Sequence, residues 1–285
     1  MTTSSHAGAD QPVRFGSGQA VRRLEDDVLL AGAGQFTDDV TLQDQSHLFF
    51  VRSPYPHARI ASVDIAAALA MPGVLAIVTG ADLAAAGVKP IPGIGGFKRA
   101  DGTACATPPR RALAHERVRF VGEPVAAVVA LSLRQARDAV EAVLVDYDEL
   151  PMVVDISDAM APGAPALCPE APDNIAAETR YGDAAATAAA FAAARHIVRL
   201  DIGNQRLAAL SLEPRSVLAG FDISSQRLTI RMSTQMPSGV RNSVCDALGI
   251  AKEAVRVIVG DVGGGFGMKT GVYPEDVAVA FCARK

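Results

Sequence analysis

The apolar positions of this chain fall into short runs that switch repeatedly between strand-like and helix-like spacing. "LFFVRSPYPHARIASVDI" places two such runs on either side of a proline-rich break, predicting two strands joined by a tight connection. In "AAALAMPGVLAIVTGADL" a short helix stops at Pro72-Gly73 and gives way to a buried strand ending at Gly80. "ERVRFVGEPVAAVVALS" predicts two short strands about Gly122-Glu123-Pro124. A helix follows over "LRQARDAVEAV", with Ser132 as its N-cap. "LVDYDELPMVVD" then reads as a strand running into an extended link. The second half predicts an alanine-rich helix from Asp183 to Ala194, a strand at "HIVRLDI" and a β-hairpin about Ser224-Ser225. It continues with a helix entered through Pro237 and a strand "AVRVIVGDV", Ala254 to Val262, whose two apolar faces suit an interior position. A helix from Pro274 to Lys285 completes the pattern.

Two stretches have no period. "GVKPIPGIGGFKRADGTACATPPR" is a long loop, a class that is often functional or mobile. "APGAPALCPEAPDN" marks the best domain boundary, and the polar first 20 or so residues read as a mobile arm.

Composition narrows the class. With 285 residues, 49% of them hydrophobic, the chain has ample material for a core of one large domain or two ordinary ones. A net charge of −4 and no basic stripe argue against sequence-independent nucleic-acid binding. The start carries no apolar leader and no run is long enough to span a membrane, so a cytoplasmic location is expected. Cys105, Cys168, Cys245 and Cys282 lie far apart without metal or disulfide spacing and read as separate thiols.

The densest chemical signal is "GDVGGGFGMKT", five glycines in the eleven residues from Gly260 to Thr270. Strand, glycine loop, helix is the arrangement of a phosphate-binding turn, but both specific versions fail: no Lys-Ser/Thr stands in the Walker frame and no GxGxxG can be placed. What remains is bare backbone around one ring, Phe266; a tight turn about a buried phenylalanine is the structural alternative. Gln235, after one strand and before a helix, reads alone as a cap or surface residue. Glu213 and Arg215 read as an edge ion pair of little energetic weight.

Taken in order, "LLAGAGQFTDDV", "VRSPYPHARIASVDI", "PGVLAIVTGADL", "VRFVGEPVAAVVA", "LEPRSVLAGFD", "STQMPSGVRN" and "VGGGFGMK" resemble one family. It is the molybdopterin-binding large subunit of the xanthine dehydrogenase, aldehyde oxidase and aerobic carbon monoxide dehydrogenase family, and the likeness to its N-terminal part runs from about residue 20 onward. The resemblance implies an α+β fold: a flexible arm over 1–26, an α/β hammerhead domain over 27–137, a linker over 138–170, and the first part of a molybdopterin-binding domain over 171–285. It implies a molybdenum hydroxylase that takes its oxygen from water and acts on an aldehyde or N-heteroaromatic substrate. The alternatives are a carbon monoxide dehydrogenase large subunit and a non-catalytic half subunit completing a partner's molybdenum domain. An unrelated nucleotide-binding enzyme is disfavoured by the failed phosphate motifs.

The implied cofactor is a molybdenum–pterin, in the cytosine dinucleotide form, with a 2Fe-2S centre and FAD on an iron–sulfur small subunit and a FAD-binding medium subunit. The electrons leave through those partners, and a further chain would supply the C-terminal molybdenum domain. Within the family pattern Gln235 hydrogen-bonds a metal ligand, Gly264, Gly265 and Gly267 bring backbone donors to the cofactor, and Phe266 walls the substrate funnel. No protein side chain here is implied as a metal ligand. Glu213 and Arg215 match structural support. Two departures stand out: Thr270 occupies a position where xanthine-type enzymes carry a glutamate, and the family's base glutamate lies downstream of everything in this sequence.

Overall fold

The structure, a computed structural model, describes residues 23–93 and 95–285. Most of the predicted arm lies outside the described residues. Residues 23–35 belong to a small first unit, in which α1 (Asp26–Leu30) forms a single turn of helix capped by an Arg23–Asp26 ion pair of 2.7 Å. The rest, 36–285, is one compact unit.

Its first half builds two three-stranded antiparallel sheets. β1 (His47–Arg52) and β3 (Val74–Thr79) flank the central β5 (Pro124–Ala130), while β4 (Arg117–Val118) and β6 (Leu144–Glu149) flank β2 (Ala58–Asp64). The strands predicted on either side of "SPYPH" are therefore both present but pair in different sheets. β5 reads PVAAVVA, nearly continuous in apolar residues, because both of its faces are covered. Ala126 and Val128 point under α2 (Ala66–Leu69) and α4 (Leu133–Val140), whereas Ala127 between them enters the core shared with the second half. Ser132 does cap α4, its hydroxyl accepting the Gln135 N–H at 3.3 Å. The strand expected to end at Gly80 stops at Thr79. A helix absent from the sequence reading, α3 (Gly80–Ala85), starts there, with Asp82 and Thr79 capping each other.

Between the halves lie α5 (Ile156–Ala159) and α6 (Ala184–Ala193), the latter capped by Asp183 and exposed along its whole length. The strand predicted at "HIVRLDI" is absent: residues 196–202 are exposed and pair with no strand among the described residues. Their alternation is suitable, but a strand also needs a ladder partner. The hairpin is formed as expected by β7 (Val217–Asp222) and β8 (Arg227–Met232). α7 (Pro237–Leu248) then crosses over to β9, which lies parallel to β8. β9 covers only Val255–Ile258, at the edge of the sheet among the described residues and with Arg256 exposed, so the strand read from Ala254 to Val262 is corrected to a shorter one, after which the chain turns into the glycine loop. α8 (Pro274–Ala283) closes the described chain, two residues shorter than predicted.

One core joins the halves. Leu83, Ile91, Leu113 and Ala127 pack with Ile230, Val244, Val277 and Phe281. Polar links reinforce it: Arg52 at the end of β1 meets Glu275 in the first turn of α8 at 2.8 Å, and Lys89 N–H bonds the Ala247 carbonyl at 2.8 Å. No disulfide joins any of the four cysteines, and no helix among the described residues is long and apolar enough to cross a membrane.

Candidate functional site

Ser233, Thr234 and Gln235 follow β8 directly, before Pro237 opens α7. The chain from Gly263 to Lys269 passes alongside them. The backbone N–H of Gln235 donates to the Lys269 carbonyl at 2.8 Å, and the Thr234 hydroxyl donates to the same oxygen at 3.0 Å. Above this ladder the Gln235 side chain lies on the glycine loop, its Oε1 accepting the Gly267 N–H at 3.1 Å. The amide Nε2 donates to no acceptor among the described residues.

Residue type follows from geometry. A Cβ on Gly265 would stand 2.5 Å from the Gln235 Cδ, so glycine is what lets the amide approach. Gly264 sits at φ +103° and a Cβ there would meet the Phe266 ring at 2.7 Å. Phe266 itself has φ +48°, a left-handed conformation rare for a bulky residue. Its ring is 74% exposed, so the tight turn about a buried phenylalanine is not what forms. The ends of the loop are pinned: Gly263 N–H donates to Glu213 Oε2 at 2.8 Å and Met268 N–H to the Gly265 carbonyl at 2.8 Å. Between them the N–H groups of Gly264, Gly265 and Phe266 find no acceptor among the described residues.

Beneath the loop is a cluster that the sequence reading missed. Lys269 is fully buried, and its ammonium spends its donors on Glu213 Oε2 at 2.9 Å, the Glu213 carbonyl at 2.9 Å and Ser233 Oγ at 2.8 Å. Ser233 Oγ in turn donates to Glu213 Oε2 at 2.6 Å. Burial pushes the Glu213 carboxyl up, but the bonds from Ser233, Gly263 and Lys269 outweigh it and hold the group below its ordinary value. Glu213 Oε1 is buried without a hydrogen-bond partner among the described residues. The expected Glu213–Arg215 edge pair is thus corrected: Glu213 pairs with Lys269, while Arg215 lies 3.6 Å over the Tyr273 ring and 3.7 Å from Glu275. Tyr273 Oη donates to the Met268 carbonyl, so Arg215 supports the loop from its far end. Thr270 is exposed and turns its hydroxyl back onto the Gly267 carbonyl at 2.8 Å.

Gln235, Gly264, Gly265, Phe266 and Gly267 therefore come together at one place. Among the described residues no group of three or more His, Cys, Asp or Glu is placed to hold a metal ion. The donor set is suited instead to an acceptor-rich group: unpaired backbone N–H groups, a neutral amide, and glycines at which a Cβ would fill the space.

Two mixed α/β halves, the second carrying a loop of unpaired backbone donors, are the arrangement to compare with known proteins. Residues 31–151 match the aldehyde oxidase and xanthine dehydrogenase a/b hammerhead domain, and residues 167–285 match the molybdopterin cofactor-binding domain. The chain belongs to this family and is similar to part of its large subunits. It is 37% identical over 269 residues to the nicotine 6-hydroxylase large subunit of Paenarthrobacter nicotinovorans, covering 94% of this chain and 32% of that one. The carbon monoxide dehydrogenase large chain of Hydrogenophaga pseudoflava is also 37% identical, over 88% of this chain and 31% of its own. Quinoline 2-oxidoreductase from Pseudomonas putida 86 superposes with a TM-score of 0.81 at 36% identity, over 94% of this chain and 33% of that one. The chain spans about a third of the length of the relatives it matches.

Proposed function

We propose that this chain is part of the large subunit of a molybdenum hydroxylase that oxidises an N-heteroaromatic or aldehyde carbon with water as the oxygen source. The carrying observation is the Gln235 amide anchored on Gly267 above a loop with three unpaired N–H groups. Such a surface binds acceptor atoms, and it does so without titrating, because neither an amide nor a peptide N–H changes charge near neutral pH.

When bound, the molybdenum–pterin cofactor, proposed in its cytosine dinucleotide form, would supply the chemistry of oxygen transfer from water and take up two electrons. This chain's residues supply positioning. Gln235 Nε2 would offer the bound cofactor a neutral donor, oriented because Oε1 is fixed by Gly267. Gly264, Gly265 and Phe266 offer backbone donors of fixed direction. The exposed Phe266 ring flanks the approach and shapes what can enter, without charge. In the proposed assembly a glutamate abstracts the proton, and the 2Fe-2S centre and the FAD are carried on a small and a medium partner subunit in the cytoplasm. Named relatives that act on nicotine and quinoline favour a heteroaromatic substrate. The equal identity to a carbon monoxide dehydrogenase large chain keeps carbon monoxide as the second reading.

The test is turnover of the complete enzyme in oxygen-labelled water. Label in the product is expected, and label arriving from dioxygen instead ends the proposal. Anaerobic reduction by a heteroaromatic, an aldehyde or carbon monoxide then separates the two readings.

A further inference from the structure

The chain is acidic overall, at −4, yet "PPRRALAHERVRF" packs Arg110, Arg111, Arg117 and Arg119 into a short stretch. The fold adds a fifth arginine. In the antiparallel pairing of β2 with β4, Arg59 stands directly opposite Arg117. Like charges at such a position repel and destabilise the sheet. The approach to β4 is also strained: Glu116 has φ +68°, and Arg117 N–H closes back on the His115 carbonyl at 2.8 Å, a tight turn poorly suited to a residue with a side chain.

These groups surround a cavity of about 500 Å³, lined by Arg59, Arg111, Arg117 and Arg119 together with His115. Glu116 and Glu170 also line it, so four guanidiniums face two carboxylates and the lining keeps two positive charges with His neutral. None of the four arginines has an ion-pair partner within 4.0 Å among the described residues. Arg119 Nε is buried without a hydrogen-bond partner among the described residues. Glu123 accepts Arg119's backbone N–H at 2.6 Å but forms no ion pair with its guanidinium. The Cys168 thiol beside Arg119 brings no counter-charge, since burial raises it further than the arginines lower it.

We propose that this cavity binds a phosphate-class oxyanion, free or carried on a small molecule. Guanidinium forks match phosphate oxygens two at a time, and several converging on one cavity suit a multiply charged tetrahedral group. A bound anion would turn the repulsive Arg59–Arg117 pair into a favourable one. The cavity is also roomier than a bare phosphate needs.

The complete enzyme containing this chain is titrated by calorimetry with inorganic phosphate and with glycerol 3-phosphate, against sodium chloride at matched ionic strength. Saturable binding of one anion per chain is expected, weakened at least tenfold in Arg117→Gln and in Arg119→Gln. A tighter monoester identifies a phosphate carried on a larger molecule; equal affinity identifies the free oxyanion. Melting provides an independent reading. In phosphate-free buffer Arg117→Gln relieves the cross-strand repulsion and melts about 1–3 °C above the parent, while phosphate raises only the parent. Binding no stronger than chloride, unchanged affinity in both variants, or an Arg117→Gln protein that melts lower without phosphate would overturn the proposal.

Discussion

Replacing Lys269 by methionine keeps most of the length of the side chain and removes its charge. The side chain is fully buried and Glu213's is only 10% exposed, with 2.9 Å between Nζ and Oε2. Removing one member of a buried pair strands the other charge, at about 3–5 kcal/mol. For a domain of this size that corresponds to a fall of roughly 10 °C in melting temperature. The assay is denaturant or thermal unfolding of the parent, Lys269→Met, Glu213→Gln and the double variant. Glu213→Gln in the Lys269→Met background removes the stranded charge, so the cycle should show a coupling of at least about 1 kcal/mol. The pH dependence has a definite sign. Glu213's folded-state value lies below its ordinary 4.5, so the pair's stabilisation is present above that pH and fades as acid takes the carboxyl through its folded value. The parent-to-variant gap should therefore narrow between pH 7 and pH 3. A loss under about 1 kcal/mol, or a gap indifferent to pH, would falsify the account of Lys269 as the strut beneath the loop.

Three further outcomes follow from the same geometry. Gln235→Ala should leave unfolding within about 0.5 kcal/mol, since the residue is exposed, yet lower turnover of the complete enzyme by roughly one to three orders of magnitude; an unchanged rate would reduce Gln235 to a helix-entry residue. Gly265→Ala places a methyl 2.5 Å from the Gln235 Cδ and should push the amide off Gly267. Its effect on turnover should match that of Gln235→Ala, and the two together should be no worse than either; additive losses would mean the glycine acts independently. Asp276 is buried at the start of α8, and desolvation raises its carboxyl to about 6. A raised value means stability that is complete below the ordinary 3.8 and lost as pH climbs through 6, an effect of at most roughly 3 kcal/mol. Asp276→Asn keeps the acceptor for the Tyr273 N–H and should flatten that decline between pH 4 and pH 8; a decline of unchanged slope would point to other groups.

Local signals were readable in the sequence where the chain itself carries them. Pro237 at the first turn and Gly249 at φ +64° after the last bound α7 as start and stop residues should, and the β7–β8 hairpin forms about the predicted serines. Partner choice was not readable. "HLFFVR" and "ARIASVD" look like neighbours, but β1 sits beside β5 and β2 beside β6, because pairing depends on strands that arrive much later in the chain. The same blindness produced a strand at 196–202, where alternation exists without a ladder. At the candidate site, Gln235 and Gly267 are 32 residues apart, and only the family likeness joined them beforehand. Lys269 gave no signal at all. A lysine is ordinarily solvent-facing, and its counter-charge Glu213 stands 56 residues away beside a more obvious false partner, Arg215.

The way the loop is held bears on what it does. If its task were only to reverse the chain between β9 and α8, a short turn with few glycines would lose less conformational entropy than five glycines in eleven residues. Instead, each end is tied by a specific polar bond: Gly263 to Glu213, Gly267 to Gln235, the Met268 carbonyl to Tyr273 and the Lys269 carbonyl to Gln235 and Thr234. Apolar packing could not supply this, since it fixes position loosely and leaves peptide groups unpaired. A buried ammonium with three acceptors fixes both a carboxylate and, through it, a backbone N–H. Rigid ends permit the middle to stay unpaired, because Gly264 to Phe266 cannot relax into a helical turn that would consume their donors. Three N–H groups without an acceptor among the described residues and a φ of +48° at Phe266 are costly features for a connector, and they are features that an acceptor-binding loop would use.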